Sequence, residues 1–192
     1  MRDAGAALLD RIGPAILLVH SQAGAFAWPI AQMRPALVKA IVAIEPNGPP
    51  VHDLIATGAP DWFRDDPRVK ISGLGDIPLA YVPALGDGED LRFVQEDKAK
   101  ASELARCWLQ ADPPRKLAGL DHIPVMLVSG EASYHAPYDH CTVAYLRQAG
   151  VEVDHVRLTD HGVTGNGHMM MQEKNSDAIA AILVDWLSRR RV

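Results

Sequence analysis

The sequence predicts an α/β fold, in which helices flank a mostly parallel sheet. Three short runs of nearly uninterrupted apolar residues, at 15–19, 38–44 and 124–128, have the length of strands. Strands that are apolar on both faces are typical of the interior of a parallel sheet. Segments with helical character separate these runs, and strands that alternate with helices indicate an α/β architecture.

The beginning of the chain predicts a strand–helix–strand unit. A short helix over residues 4–12 ends near Gly13 and Pro14, because proline cannot continue a helix. The strand at 15–19 leads into a helix over 22–35, and the second strand follows it. A unit of this kind is expected to have a right-handed crossover.

The middle of the chain changes in composition. Residues 46–95 are rich in proline and glycine and are too long for a plain connection. We interpret 46–110 as an insertion or lid within a single domain that covers residues 1–192, with a short strand at 79–82 and a helix at 96–110. The prolines of this segment are Pro46, Pro49, Pro50, Pro60, Pro67, Pro78 and Pro83.

The end of the chain returns to the alternating pattern. After the strand at 124–128, a helix at about 137–149 is closed by Gly150. Alternating residues at 151–158 predict a strand nearer the edge of the sheet. The last predicted helix, at about 174–189, carries one apolar face.

Composition and charge exclude several classes of protein. Hydrophobic residues make up 48% and charged residues 22% of 192 residues, as in ordinary globular proteins. The net charge of −5, without a basic patch except Arg189–Arg191, disfavours nucleic-acid binding. No apolar run is long enough for a membrane span. Without a recognisable signal peptide, the cytoplasm is the default expectation, and Cys107 and Cys141 could be free thiols.

The most informative segment is Val19-His20-Ser21-Gln22-Ala23-Gly24, which joins a buried strand to a helix. A serine at such a turn, with small residues two positions away, is typical of a nucleophile elbow. This geometry exposes the hydroxyl of Ser21 and directs the backbone N–H of Gln22 toward a developing oxyanion. Serine is also a common helix N-cap, and this motif alone does not separate the two interpretations.

A nucleophilic serine needs a base and an acid. Glu45 follows the second predicted strand, so it should lie beside Ser21 at the carboxyl edge of the sheet. His168 lies in a glycine-containing loop between the last strand and the last helix, which also faces this edge. The order Ser21, Glu45, His168 is serine–acid–histidine, as in α/β enzymes that use a nucleophile elbow. His161 is the competing base.

Other polar residues have weaker assignments. His20 is expected to line the site beside Ser21, and the remaining histidines to be surface or structural residues. Neither group of potential metal ligands has a recognised spacing, so we expect no metal site and no cofactor. The groups are Asp160, His161 and His168, and His135, Asp139 and His140. Trp62, Phe63, Leu79 and Tyr81 of the insertion are candidates for a lid or acyl pocket, although surface packing explains them equally well.

Taken together, the motifs around Ser21, Glu45 and His168 resemble the α/β-hydrolase fold family. They are most similar to bacterial serine esterases whose acid follows the strand after the nucleophile strand. In the wider family the acid more often follows the next strand. Ser133 occupies that place here, which favours Glu45, with Glu131 and Asp139 as backup candidates.

The chain departs from the family at its beginning. The resemblance implies about four strands before the nucleophile strand, and one of their loops carries a second oxyanion donor. This chain reaches Ser21 almost at once, so we expect the front half of the sheet to be absent and residues 15–19 to form an edge. An apolar edge strand favours pairing with another chain, which predicts a homodimer through this strand.

The resemblance implies hydrolysis of a small-molecule carboxylic ester through an acyl-enzyme on Ser21. Two alternatives remain open. The chain could be an impaired half-fold or an interaction module that needs the missing part. It could also catalyse thioester or lactone hydrolysis, or acyl transfer, because one fold hosts many reactions.

Overall fold

The computed structural model describes residues 1–58 and 62–192. Pro60, one of the prolines of the predicted insertion, lies outside the described residues. The elements in the first part of the chain are α1 (Arg2–Ile12), β1 (Ala15–Ser21), α2 (Gly24–Met33), β2 (Val38–Pro46), β3 (His52–Ala56) and β4 (Phe63–Val69). They continue with β5 (Tyr81–Val82), β6 (Phe93–Gln95), β7 (Trp108–Gln110), β8 (Lys116–Leu117), β9 (Val125–Ser129), α3 (Asp139–Gln148), β10 (Val153–Arg157) and α4 (Ser176–Arg190).

The central element is a four-stranded parallel sheet with the order β1-β2-β9-β10. The inner strands β2 and β9 are buried along almost their whole length, as their apolar sequences predict. At the β1 edge the side chain of Leu18 is 64% exposed. The predicted α/β class with a parallel sheet is confirmed.

Helices cover both faces of this sheet. On one face α1, α2 and α3 bury a core that includes Trp28 and Tyr145. On the other face α4 packs through Ile179 and Trp186 against the sheet, with Met170 of the preceding turn. The carboxyl ends of all four strands therefore open at one edge, between two packed layers.

The segment between β2 and β9 is built differently. Its short strands form three two-stranded antiparallel pairs, β3-β4, β5-β8 and β6-β7, within the described residues. The helix predicted at 96–110 is wrong, since these residues form turns followed by β7. Its local helix propensity is a weak preference, which the pairing of β7 with β6 overrides.

The two cysteines are not free thiols. Cys107, just before β7, forms a disulfide with Cys141 in α3. The disulfide therefore ties the segment between β2 and β9 to the helix layer. Among residues 1–58 and 62–192, no helix is both long and apolar enough to cross a bilayer.

Candidate active site

Ser21 lies at the last position of β1, where the backbone turns sharply toward α2. Its φ of 54° is in the left-handed region, which costs a serine of order 1–3 kcal/mol. The backbone N–H of Asn47 donates to the Ser21 carbonyl at 2.8 Å and joins the ends of β1 and β2. A Cβ on Gly24 would lie 2.4 Å from the Cβ of Pro46, so only glycine lets α2 begin this close to β2.

Three polar side chains form a continuous hydrogen-bonded chain at this edge. His168 Nε2 lies 2.9 Å from Ser21 Oγ, and His168 Nδ1 lies 2.6 Å from Glu45 Oε2. With a proton on Nδ1 that is donated to Glu45, Nε2 is free to accept the proton of the Ser21 hydroxyl. The structure thus brings together the three residues that the sequence pattern selected.

Glu45 is fully buried, and each of its oxygens accepts a hydrogen bond. Oε1 accepts from the backbone N–H of Gly130 at 2.8 Å, and Oε2 accepts from the Ser133 hydroxyl at 2.6 Å as well as from His168. These donors compensate the carboxylate for its loss of hydration. Glu45 has a φ of 40°, so both Ser21 and Glu45 have a strained conformation near the carboxyl ends of their strands.

The loop that carries His168 is held by its own polar residues. Asn166 is buried, and its amide Nδ2 donates to Glu173 and, at 2.7 Å, to Asn175. The N–H of Gly167 donates to Glu173 at 2.9 Å. His20 does not line the cavity beside Ser21. Its Nε2 lies 2.9 Å from the carbonyl oxygen of His168, so it holds this loop instead.

Three aromatic rings surround the imidazole of His168. Their centroids lie at 4.4 Å for His20, 4.7 Å for His135 and 4.8 Å for Tyr134. The rings of His135 and His168 are nearly parallel, with an angle of 6°. The hydroxyl of Tyr134 also hydrogen-bonds to Ser21, and desolvation together with the charge of Glu45 raises the pKa of this phenol.

A cavity of about 250 Å³ opens beside Ser21. Its lining mixes polar and apolar groups and comes from the ends of β1 and β2, from β3 and from the segment after β9. The lining residues are Ser21, Asn47, Gly48, Pro49, Asp53, Leu54, Tyr134, His135 and Tyr138. Such a space accommodates one small group of a substrate next to the hydroxyl of the serine.

The residues expected to form an acyl pocket are placed elsewhere. Trp62 and Phe63 line a second cavity of about 580 Å³, which shares only Leu54 with the first. Tyr81 does not line either space, because its ring is buried and its hydroxyl bonds to Tyr145 at 2.9 Å. The expectation for Tyr81 is wrong, since the β5-β8 pairing turns it into the core.

The competing acids and base have other partners. His161 is exposed at the end of a 3-10 turn. Glu131 accepts a hydrogen bond from the backbone of Gly165 at 2.9 Å, and Asp139 pairs with His135 at 2.9 Å. The geometry therefore leaves Glu45 and His168 as the partners of Ser21.

Sequence analysis missed the contributions of Ser133, Tyr134 and His135. These residues follow β9 at the same edge as Ser21 and Glu45. Their position directly after a predicted strand could have indicated that they lie in the site. His135 was expected to be a surface or structural residue, but it contacts His168 and lines the cavity.

Two groups of potential metal ligands occur among the described residues. The first is Cys107, His140 and Cys141, whose sulfurs form the disulfide. The second is Glu45, His135 and His168, whose ligand atoms lie within 4.8 Å of one another and which form the hydrogen bonds described above. Neither group matches those considered from the sequence.

Comparison with known proteins identifies the family. The model of the alpha/beta hydrolase family matches residues 1–182. The chain belongs to this family. A curated relative, the probable secreted lipase phiG of Fungal sp. (strain ATCC 74256), is 44% identical over 189 residues. That alignment covers 97% of the chain but 49% of the relative, so the chain spans about half the length of this lipase.

One solved structure supports the same fold. A novel bacterial esterase superposes with a TM-score of 0.54 at 22% identity, covering 97% of this chain and 42% of that chain. A monoacylglycerol lipase of Paleococcus ferrophilus gives a TM-score of 0.49 at 15% identity, covering 98% and 76%. The predicted resemblance to α/β hydrolases is confirmed.

The default expectation of a cytoplasmic location is wrong. The curated relative that matches 97% of this α/β hydrolase chain is named a probable secreted lipase. The disulfide between Cys107 and Cys141 agrees with this correction, since disulfides are rare in the cytosol.

Proposed function

We propose that this α/β hydrolase cleaves carboxylic esters through an acyl-enzyme on Ser21. The observation that carries the proposal is the unbroken chain from Ser21 Oγ through His168 to Glu45, with distances of 2.9 and 2.6 Å. Its position at the carboxyl edge of a parallel sheet is where active sites of open α/β folds form.

In the first half-reaction Ser21 Oγ attacks the ester carbonyl, and its proton passes to His168 Nε2. The buried carboxylate of Glu45 stabilises the imidazolium. The backbone N–H of Gln22 stabilises the oxyanion of the tetrahedral intermediate. When the intermediate collapses, the bond between the carbonyl carbon and the alcohol oxygen breaks, and His168 returns the proton to the leaving alcohol.

In the second half-reaction water replaces the alcohol. His168 Nε2 removes a proton from water as its oxygen attacks the acyl carbon. Collapse of the second intermediate releases the carboxylic acid and restores the Ser21 hydroxyl. The proposal draws support from Tyr134, whose hydroxyl also contacts Ser21.

A fluorophosphonate probe tests this proposal without knowledge of the substrate. The probe reacts with an activated serine and leaves a label that peptide mass spectrometry locates. We expect label on Ser21, and its loss in Ser21→Ala and in His168→Ala. His161→Ala is the matched control because His161 is exposed and outside the site. Label on a different serine, or full labelling of His168→Ala, would contradict the mechanism.

A second candidate function is that of a half-fold that needs further strands. One observation favours it: the apolar strand β1 lies at the edge of the sheet, with Leu18 64% exposed. Its unpaired backbone groups favour addition of another strand, from a second copy of this chain or from another segment. Light scattering at micromolar concentration tests the homodimer, and Leu18→Lys should shift the mass to that of a monomer. A monomer before the substitution would contradict the homodimer.

The substrate class is proposed from the similarity of the chain to a secreted lipase. A lipase-type ester is the first substrate to assay, and thioesters, lactones and transfer to alcohols are the alternatives. The small volume of the cavity beside Ser21, about 250 Å³, favours a short group at that position. A panel of p-nitrophenyl esters of increasing acyl length measures this directly.

A further inference from the structure

A second histidine–carboxylate pair lies next to the proposed triad and has no part in the mechanism given above. His135 is 2% exposed and Asp139 is fully buried. His135 Nδ1 lies 2.9 Å from Asp139 Oδ1. Buried ionisable pairs are costly to desolvate and carry weak evidence for stability, so their placement needs another explanation.

Hydrogen bonds fix the orientation of this pair. Asp139 Oδ2 accepts from the Ser129 hydroxyl at 2.7 Å, and Ser129 Oγ lies 3.0 Å from His155 Nε2. Burial and the charge of Arg157 lower the pKa of His155 to about 4, so this imidazole is neutral at pH 7. Because Ser129 donates its single hydroxyl proton to Asp139, it accepts from Nε2 of His155. His135 donates its Nδ1 proton to the other oxygen of Asp139.

The pair is also coupled to the triad from two directions. The ring of His135 lies parallel to that of His168, with centroids 4.7 Å apart. The backbone N–H of His135 donates to Ser133 Oγ at 3.1 Å, and Ser133 donates to Glu45 at 2.6 Å. The base and the acid of the triad therefore both touch the segment that carries His135.

We propose that His135, held by Asp139, is a positioning residue for His168. The parallel ring restricts the tilt of the catalytic imidazole while its Nε2 exchanges a proton with Ser21 and the leaving group. The same contact holds the ring in place when the imidazolium forms in each tetrahedral intermediate. This inference rests on the proposed ester hydrolysis, because positioning a base matters only where that base is used.

The groups that face this stack come from four parts of the fold. Tyr134, Tyr138 and Asp139 belong to the segment after β9, and Glu45 belongs to β2. His20 of β1 contacts the His168 ring. Asp53 lines the same cavity from β3. Glu45, Asp53 and Asp139 are the carboxylates of this set.

Two variants separate positioning from folding. Asp139→Asn keeps the shape of the side chain but loses the carboxylate that fixes His135. His135→Gln keeps a donor for Asp139 and removes the ring. Tyr145→Phe is the matched control, because it removes a buried hydrogen bond from the same helix, α3, at a distance from the site. All three are compared by the second-order rate of labelling with a fluorophosphonate across pH 5–9.

We expect the maximal labelling rate to fall on the order of tenfold or more in Asp139→Asn and His135→Gln, because small misplacements of a catalytic group are costly. The half-maximal pH should move downward in Asp139→Asn, since loss of a nearby negative charge disfavours the imidazolium. Tyr145→Phe should keep the rate and the pH profile. Rates and profiles that match the unsubstituted chain in both variants would overturn the inference.

An NMR readout keeps this test independent of the proposed reaction. The Nδ1 proton of His168, shared with Glu45, should give a low-field signal that disappears in His168→Ala. It should shift or broaden in His135→Gln and Asp139→Asn but not in Tyr145→Phe. If the unsubstituted chain does not label, the proposed function fails, and this signal still decides whether His135 positions His168. An unchanged signal in both variants overturns that role.

Discussion

The carboxyl edge of the sheet and the segment between β2 and β9 are held together by different forces. At the edge, Ser21 and Glu45 extend from strands whose backbone register is fixed by parallel pairing. In the segment, short antiparallel pairs are joined by polar side chains, such as Asp65 with Trp108 at 2.9 Å, and by one disulfide. The first region derives its geometry from strand pairing in the sheet, whereas the second depends on short strand pairs, polar contacts and a disulfide in addition to the side chains that it buries in the core.

This difference indicates which region can hold the side chains of the proposed site in fixed positions. A buried strand cannot shift its register without exposing apolar side chains, so residues at its end are held within narrow limits. Loops that depend on a few polar contacts open at lower free energy. The sheet edge is therefore suited to hold a triad, and the segment is suited to shape access to it. Its role as a lid stays a prediction.

The largest expected effect comes from replacing the proposed acid at the carboxyl edge of the sheet. In Glu45→Gln a neutral amide cannot stabilise the His168 imidazolium, so we expect the labelling rate of Ser21 to fall by ~10²–10⁴-fold. Glu131→Gln is the control for the competing acid, because Glu131 is exposed and its recorded hydrogen bond is to the backbone of Gly165. Equal losses in the two variants would argue against Glu45 as the acid.

The next effect concerns the disulfide that ties the segment to α3. Cys107 and Cys141 are 34 residues apart, and a loop of this size predicts ~3–4 kcal/mol of stabilisation. Urea unfolding of the Cys107→Ser/Cys141→Ser double variant measures the loss. Limited proteolysis should then cut between β2 and β9 before it cuts the sheet. Cleavage that begins in the sheet would show that the two regions are not independent in this way.

A histidine in the sheet should make the free energy of unfolding depend on pH. His155 of β10 has a pKa of about 4 in the folded state, against 6.5 for an unperturbed histidine. The unfolded chain therefore binds more protons between these values, and the free energy of unfolding falls as pH decreases from about 6.5 to 4. The loss is up to ~3 kcal/mol. His155→Gln keeps a donor for Ser129 and should flatten this part of the curve, measured by urea unfolding at each pH.

The smallest expected effect on the labelling rate distinguishes a tyrosine beside Ser21 from a tyrosine in the core. Tyr134→Phe removes the hydroxyl that bonds to Ser21, and one such bond contributes about 0.5–1.5 kcal/mol, or roughly 2–10-fold in rate. Tyr81→Phe removes a hydroxyl from the core of the other region and should leave the labelling rate unchanged. Equal losses in Tyr134→Phe and Tyr81→Phe would contradict this difference between the two hydroxyls.

Strands and site residues could be predicted from the sequence where a local pattern is sufficient. The apolar runs predicted β1, β2 and β9 within two residues at each end, because a strand buried on both faces needs apolar residues throughout. The selection of Ser21, Glu45 and His168 used the same principle, since parallel strands place their carboxyl ends together. Residues 96–110 were misjudged because their helix propensity gave no information on the partner strand.

By itself, the sequence determined the α/β class, the family resemblance and the order of the three candidate catalytic residues. Only the tertiary structure decided that Cys107 meets Cys141, that Tyr81 turns into the core, and that His135 stacks on His168. The physical reason is the range of the interactions. Strand burial and turn geometry depend on residues that are neighbours in the sequence. A disulfide or a ring stack, in contrast, joins residues that the chain separates by 33 positions or more.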